Sequence, residues 1–172
     1  RFDLDSVYGG TPLGSTVSSD AVKVINGMRH PVQTAKMRVG TATQQEPFPD
    51  ELPDTLDTHR DLPRYVQVQQ SVRDAALRLA QASMPPAEFA KFQNGLLQRA
   101  LIGDQRNDEN LVVAQFHLSI LRCHNRTVDF LASHDTGWIA DFHSAQTLTR
   151  LHYQWLIVEA YLKGVCDSAV VD

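Results

Sequence analysis

The sequence predicts a mainly α-helical fold with a loop-rich N-terminal third. From residue 65 onward, apolar residues recur at helical spacing in four successive segments. Before that point the chain is rich in Gly, Pro, Thr, Asp and Gln, and four prolines interrupt any helix attempted there: Pro47, Pro49, Pro53 and Pro63. We therefore expect one partial domain, residues 1–172, made of a loop-rich segment 1–63 and a helical segment 64–172.

Two helices are expected between residues 65 and 101. The first runs from about residue 65 to 83 and buries one apolar side: Val68, Val72, Ala75, Ala76, Leu79 and Ala80. Pro85 and Pro86 end it, and the second helix restarts behind them, from about residue 87 to 101, because proline is tolerated only in a first helical turn.

The third predicted helix is the longest, from near residue 107 to about residue 132. Its apolar stripe is expected to be buried: Leu111, Ala114, Leu118, Leu121 and Val128. The fourth runs from about residue 138 to 163, is ended by Gly164, and carries a second set of expected core residues: Phe142, Ala145, Leu148, Trp155, Leu156 and Leu162.

Composition narrows the classes of partner. The chain has 172 residues, is 42% apolar and has a net charge of -4, so it can bury a core and has no broad basic field to attract nucleic acid or anionic lipid. No apolar run approaches the roughly 18 residues of a membrane span, so we expect a soluble protein. Cys123 and Cys166 lack the spacing of zinc ligands and are expected to be inert packing residues. Two cysteines do not indicate the cellular compartment of the protein.

The chain opens on Arg1, with neither an initiator Met nor the regions of a signal peptide, which predicts an internal piece of a longer protein.

A polar face is expected on the third helix. At about 100° per residue, Arg106, His117 and His124 point to nearly one side, with Glu109 and Asn110 within roughly 60° of it. The two histidines are about 10 Å apart along the axis, which excludes a shared metal ion. The spacing alone leaves two interpretations open: a functional face, or half-buried histidines bonded to neighbouring helices beside exposed Arg and Glu side chains.

Several motifs resemble those of the animal haem peroxidases. Residues 100–110 (ALIGDQRNDEN), followed by 115–118 (QFHL) and 122–126 (RCHNR), are similar to the central motif of that family. Residues 152–155 (HYQW) and 159–162 (EAYL) resemble its later helix, and residues 2–9 (FDLDSVYG), with Pro12 and Leu13, resemble the preceding loop. The resemblance spans most of the chain and implies a helical haem-peroxidase-like scaffold.

The resemblance assigns roles to two residues of the Arg-x-x-Glu unit. Arg106 corresponds to the arginine on the peroxide-binding, distal side of the haem, where a permanent cation stabilises negative charge on the leaving oxygen. Glu109 corresponds to the glutamate that can form an ester with a haem methyl group. The next position can be a haem-bonded Met in that family and is Asn110 here, which excludes a third link of that type.

The opening loop resembles the family's calcium site. Asp3 and Asp5 match carboxylate ligands and the carbonyl of Arg1 is a further candidate, since oxygen donors in a loop suit Ca²⁺. The alternative is that these carboxylates simply face water.

The family's distal histidine and its proximal haem ligand have no counterpart among the seven histidines here. The resemblance therefore implies that the rest of a parent chain completes the haem and calcium sites. That parent is expected to be an oxidoreductase that uses hydrogen peroxide to oxidise a halide or a small organic donor. Two alternatives stay open: a haem-dependent fatty-acid dioxygenase, and a haem-free helical binding or assembly module.

Overall fold

The computed structural model describes residues 4–9, 17–41 and 61–167, and these are mainly helical, which confirms the predicted fold class. Seven α-helices run through them: α1 (Asp5–Tyr8), α2 (Ser19–Gly27), α3 (Gln70–Ser83), α4 (Pro86–Gly95), α5 (Leu111–Ser133), α6 (Phe142–Leu156) and α7 (Lys163–Val165). Short 3-10 turns precede α3 and α5 and follow α4. Extended pairing in the described ranges is limited to isolated bridges.

The core forms where two helix pairs meet. α2 packs against α3, and α5 packs against α6. Phe142, at the start of α6, contacts His124 in the second half of α5, whereas Tyr153 contacts Phe116 near the start of α5, so these two helices are antiparallel. The most deeply buried aliphatic side chains come from α5 and from the segments before α3 and before α5: Leu62, Leu101 and Leu121.

The first two helices depart from prediction only at their ends. The 3-10 turn Tyr65–Gln67 precedes α3, and the predicted buried residues of this helix are buried, apart from the half-buried Leu79. α4 ends at Gly95, followed by the 3-10 turn Leu96–Gln98, so the predicted end at residue 101 is wrong. The chain becomes extended at Arg99 because it pairs with the segment before α3, where Tyr65 N donates to Arg99 O.

The third helix begins later than predicted. A separate 3-10 turn, Gln105–Asp108, comes first, and α5 starts only at Leu111. Each element has its own cap: the Asp104 side chain accepts from Arg106 N, and the Asn110 side chain accepts from Val112 N. Arg106 therefore lies off the α5 helix, and the expectation that it shares a helical face with His117 and His124 is wrong.

The fourth helix starts at Phe142, capped by Asp141, rather than at residue 138. Gly164 does not end the helical run, because a π-turn (Ile157–Leu162) leads into α7, which contains Gly164. Three predictions of buried residues on the two long helices are also wrong, because these side chains are exposed: Leu111, Trp155 and Leu156. Cys123 is half-buried, but Cys166 is exposed and so is not a packing residue.

None of the helices in the described part of the chain is both long and apolar enough to cross a membrane.

Candidate functional site

The candidate site is the turn that carries Arg106, and α1 lies directly against Gly103, two residues before this turn. Gly103 N donates to Ser6 O at 2.9 Å. A Cβ atom on Gly103 would lie 2.5 Å from Asp5 O, closer than real Cβ contacts allow. Glycine is therefore required here for α1 to approach the turn.

Arg106 projects from this turn into solvent. Its side chain is 81% exposed, and its Nε donates to both carboxylate oxygens of Asp104, at 3.0 and 3.1 Å. The hydrogen bond from Arg106 lowers the pKa of Asp104, so this carboxylate stays ionised and fixes one edge of the guanidinium. The result is an oriented cation on an open surface.

Glu109 follows the turn at its C-cap position and is also exposed. It is near enough to Arg106 for its negative charge to favour the protonated guanidinium. The Arg-x-x-Glu unit is therefore brought together on one surface, although by a 3-10 turn rather than by a helical face.

The two histidines of α5 are buried, not half-buried as one interpretation expected. Burial lowers the pKa of His117 to about 4, and its Nδ1 lies 2.9 Å from Asn107 Nδ2. His117 Nε2 is buried without a hydrogen-bond partner in the described ranges. His124 is bonded to Tyr8 and to the Ala35 carbonyl. The partners come from turns, loops and α1 rather than from the long neighbouring helices.

The calcium prediction remains untested. Asp5 is the exposed first residue of α1, while Arg1 and Asp3 lie outside the described residues. No group of three or more His, Cys, Asp or Glu residues within ranges 4–9, 17–41 and 61–167 could hold a metal ion.

An apolar surface, which the sequence did not predict, adjoins the Arg106 turn. Leu111 and Val112, at the start of α5, are each 76% exposed, and Phe116 one turn later is exposed too. Phe116 contacts Tyr153 of α6. More exposed apolar residues lie at the end of α6 and beyond: Leu151, Trp155, Leu156, Val158, Tyr161 and Val165. Periodicity cannot distinguish an apolar residue that its own chain buries from one that a partner buries.

No family model matches the chain, and neither the curated proteins nor the solved structures include a match.

Proposed function

We propose that this chain is part of a haem peroxidase and supplies the Arg106 and Glu109 wall on the peroxide side of the haem. The observation that carries the proposal is the oriented, exposed guanidinium of Arg106 beside a bare apolar surface at the start of α5. A wall of this kind suits a flat, largely apolar cofactor whose reaction builds negative charge on oxygen. The proposal takes its family from the motif resemblance.

The exposed Arg106 turn suits one side of a haem. His117 and His124 are buried in the core and do not open onto the exposed side of this turn. The iron ligand and the distal base would therefore come from the rest of the parent chain. That remainder would also cover the exposed apolar surface.

Each residue of the wall has a definite task in this proposal. Haem, when bound, supplies the redox chemistry by which hydrogen peroxide is reduced and a donor is oxidised. Arg106 stabilises negative charge on the departing oxygen, and Asp104 keeps the guanidinium oriented so that little reorganisation is needed. Glu109 would help to hold a haem through its carboxylate.

The test is a haem titration of the full chain with imidazole added as the missing axial ligand. We expect a Soret shift and peroxide-dependent donor oxidation above that of free haem. Arg106→Ala should lower the oxidation rate by about 100-fold, the typical effect of removing one group that stabilises an oxyanion. Arg126→Ala, on an exposed α5 position away from the turn, is the matched control. Equal turnover in Arg106→Ala and the control would contradict the proposal.

A second candidate is a haem-free binding module, which the extent of the exposed apolar surface favours. It predicts no Soret shift at any haem concentration. Oxygen uptake with a fatty acid and haem, without added peroxide, would instead indicate the dioxygenase alternative.

A further inference from the structure

Tyr8 and His124 form a buried hydrogen-bonded pair that the proposed peroxidase function does not use. Tyr8 Oη lies 3.0 Å from His124 Nδ1, and His124 Nε2 lies 2.9 Å from the carbonyl oxygen of Ala35. Tyr8 is 5% exposed and His124 is fully buried. The pair connects α1, the loop after α2, and α5.

The partners determine where the protons are. A carbonyl oxygen can only accept, so His124 Nε2 carries a hydrogen and donates it to Ala35. In a neutral imidazole the Nδ1 atom is then a lone-pair acceptor, and the Tyr8 hydroxyl must donate to it. Burial lowers the pKa of His124 and raises that of Tyr8, which keeps both groups neutral at rest.

We propose that Tyr8 and His124 are a redox-active pair, in which one-electron oxidation of Tyr8 is coupled to transfer of its phenolic proton to His124. A strong one-electron oxidant accepts the electron. The O–H bond of Tyr8 breaks, an N–H bond forms at His124 Nδ1, and the products are a neutral tyrosyl radical, an imidazolium and the reduced oxidant. Reduction of the radical returns the proton along the same hydrogen bond.

The geometry suits a reversible step. An oxidised phenol is strongly acidic, and the proton has an acceptor already in hydrogen-bond contact. The imidazolium formed keeps both N–H groups bonded, one to the Tyr8 oxygen and one to Ala35 O. Because the Tyr8 ring is buried, the radical is shielded from the radical coupling that exposed tyrosines undergo.

The surroundings determine how strong the oxidant must be. The guanidinium of Arg150 lies 5.3 Å from the centre of the Tyr8 ring, and that of Arg29 lies 3.9 Å from the Phe142 ring, which contacts both members of the pair. These cations disfavour the positive charge that His124 gains, so weak one-electron oxidants should not oxidise Tyr8. Since α1 also contacts Gly103, Tyr8 lies on the element that supports the Arg106 turn.

The experiment oxidises the full chain without haem, so a failed haem titration cannot affect it. A background variant with Tyr153→Phe and Tyr161→Phe leaves two of the four tyrosines, Tyr8 and the buried Tyr65. Flash-generated ruthenium(III) tris-bipyridine is the oxidant, and freeze-quenched high-field electron paramagnetic resonance detects the radical. Tyr8→Phe and Tyr65→Phe are then compared in this background, with circular dichroism to check folding.

We expect a tyrosyl signal that is lost in Tyr8→Phe and retained in Tyr65→Phe. Its lowest g value should shift as for a radical that accepts a hydrogen bond. In a Thr149→Val form of this background, which removes the neighbouring hydroxyl, exchange into D₂O should reveal one strongly coupled deuteron, that on His124 Nδ1. Absence of the signal, its survival in Tyr8→Phe, or absence of the deuteron coupling would each overturn the proposal. The coupling is measured with Tyr8 present, so it decides the question even where Tyr8→Phe unfolds.

Discussion

His117 and His124 belong to the polar motif of α5 and are also buried in the core. Both are buried on α5 and have lowered pKa values because burial disfavours the charged imidazolium. A histidine that stays neutral in the folded state and becomes protonated in the unfolded state makes folding depend on pH. The dependence follows directly from the pKa of about 4 for His117 against its usual 6.5.

We predict that the free energy of unfolding falls as pH decreases from about 6.5 to about 4. In that window the unfolded state binds a proton at residue 117 and the folded state does not, so stability rises with pH. The lowered His117 pKa corresponds to a loss of about 3 kcal/mol once pH is below both values, and His124 acts in the same direction. Urea denaturation across this range measures the slope.

The His117→Gln variant should show a shallower pH dependence, because it removes one titrating group. His143→Gln, at an exposed position on α6, is the control for the substitution itself. An identical slope in His117→Gln and in the unsubstituted chain would contradict the assignment.

Gly103 and Gly164 provide a matched pair of substitutions. In Gly103→Ala the new methyl group meets the Asp5 carbonyl oxygen at 2.5 Å, and backbone cannot rotate away. We expect a loss of about 2 kcal/mol or more, seen as a lower melting temperature. Gly164→Ala adds a methyl group in open space within α7 and should be neutral or stabilising by up to about 1 kcal/mol. Equal melting temperatures would show that α1 does not contact Gly103.

Capping side chains, rather than apolar periodicity, determine where α5 begins. Asp104 caps the 3-10 turn and Asn110 caps α5, so a separate turn and a later helix replace the single helix that the periodicity predicts. The consequence for the candidate site is direct. Arg106 and Glu109 belong to the turn before the helix, where their side chains are free of the packing that buries the face of α5 carrying His117.

We predict that Asn110→Ala destabilises the protein by about 1 kcal/mol, because Val112 N and Val113 N lose their shared acceptor. Asn110→Asp keeps the acceptor and adds a negative charge at the helix N-terminus, so it should match or exceed the original stability. Guanidinium denaturation compares the three proteins. A larger loss in Asn110→Asp than in Asn110→Ala would contradict the capping role.

Across the molecule, apolar side chains divide into a packed core and an exposed surface that continues past α6. Between residues 151 and 167 every side chain is exposed or half-buried. Tyr153 packs against the core, but most apolar side chains of this segment do not, whereas apolar helices normally lie in a core. This distribution supports the proposal that further polypeptide covers the surface.

The two populations should respond differently to mutation. Leu121 is 1% exposed on α5, and Leu121→Ala should lower the free energy of unfolding by about 2 to 5 kcal/mol, because truncation leaves a cavity. Trp155 is 56% exposed, so Trp155→Gln should change the free energy of unfolding by no more than about 0.5 kcal/mol. The same variant should lower the fluorescence of bound anilinonaphthalene sulfonate, whereas a stability loss comparable to that of Leu121→Ala would show that Trp155 is packed.

Sequence periodicity predicts burial correctly where one face of a helix is packed along its whole length. The α3 prediction is the clearest case, since Val72, Ala75 and Ala76 repeat on a single buried face. It failed at Leu111 and Trp155, whose apolar character predicted burial although both side chains are largely exposed. The Arg-x-x-Glu motif identified the candidate site, but its placement on a 3-10 turn depended on Asp104, a capping residue whose effect the spacing does not reveal.

Local patterns in the sequence predict the helical class, the approximate position of each long helix and the location of the candidate site, because periodicity and motifs are local properties of the chain. Two properties arise only when the chain packs: His117 and His124 are buried, and Tyr8 and Ala35 hydrogen-bond to opposite sides of the His124 imidazole. Those properties depend on contacts between segments distant in sequence, such as the 116 residues that separate Tyr8 from His124. Burial and hydrogen-bond partners are consequences of those contacts, which local patterns do not encode.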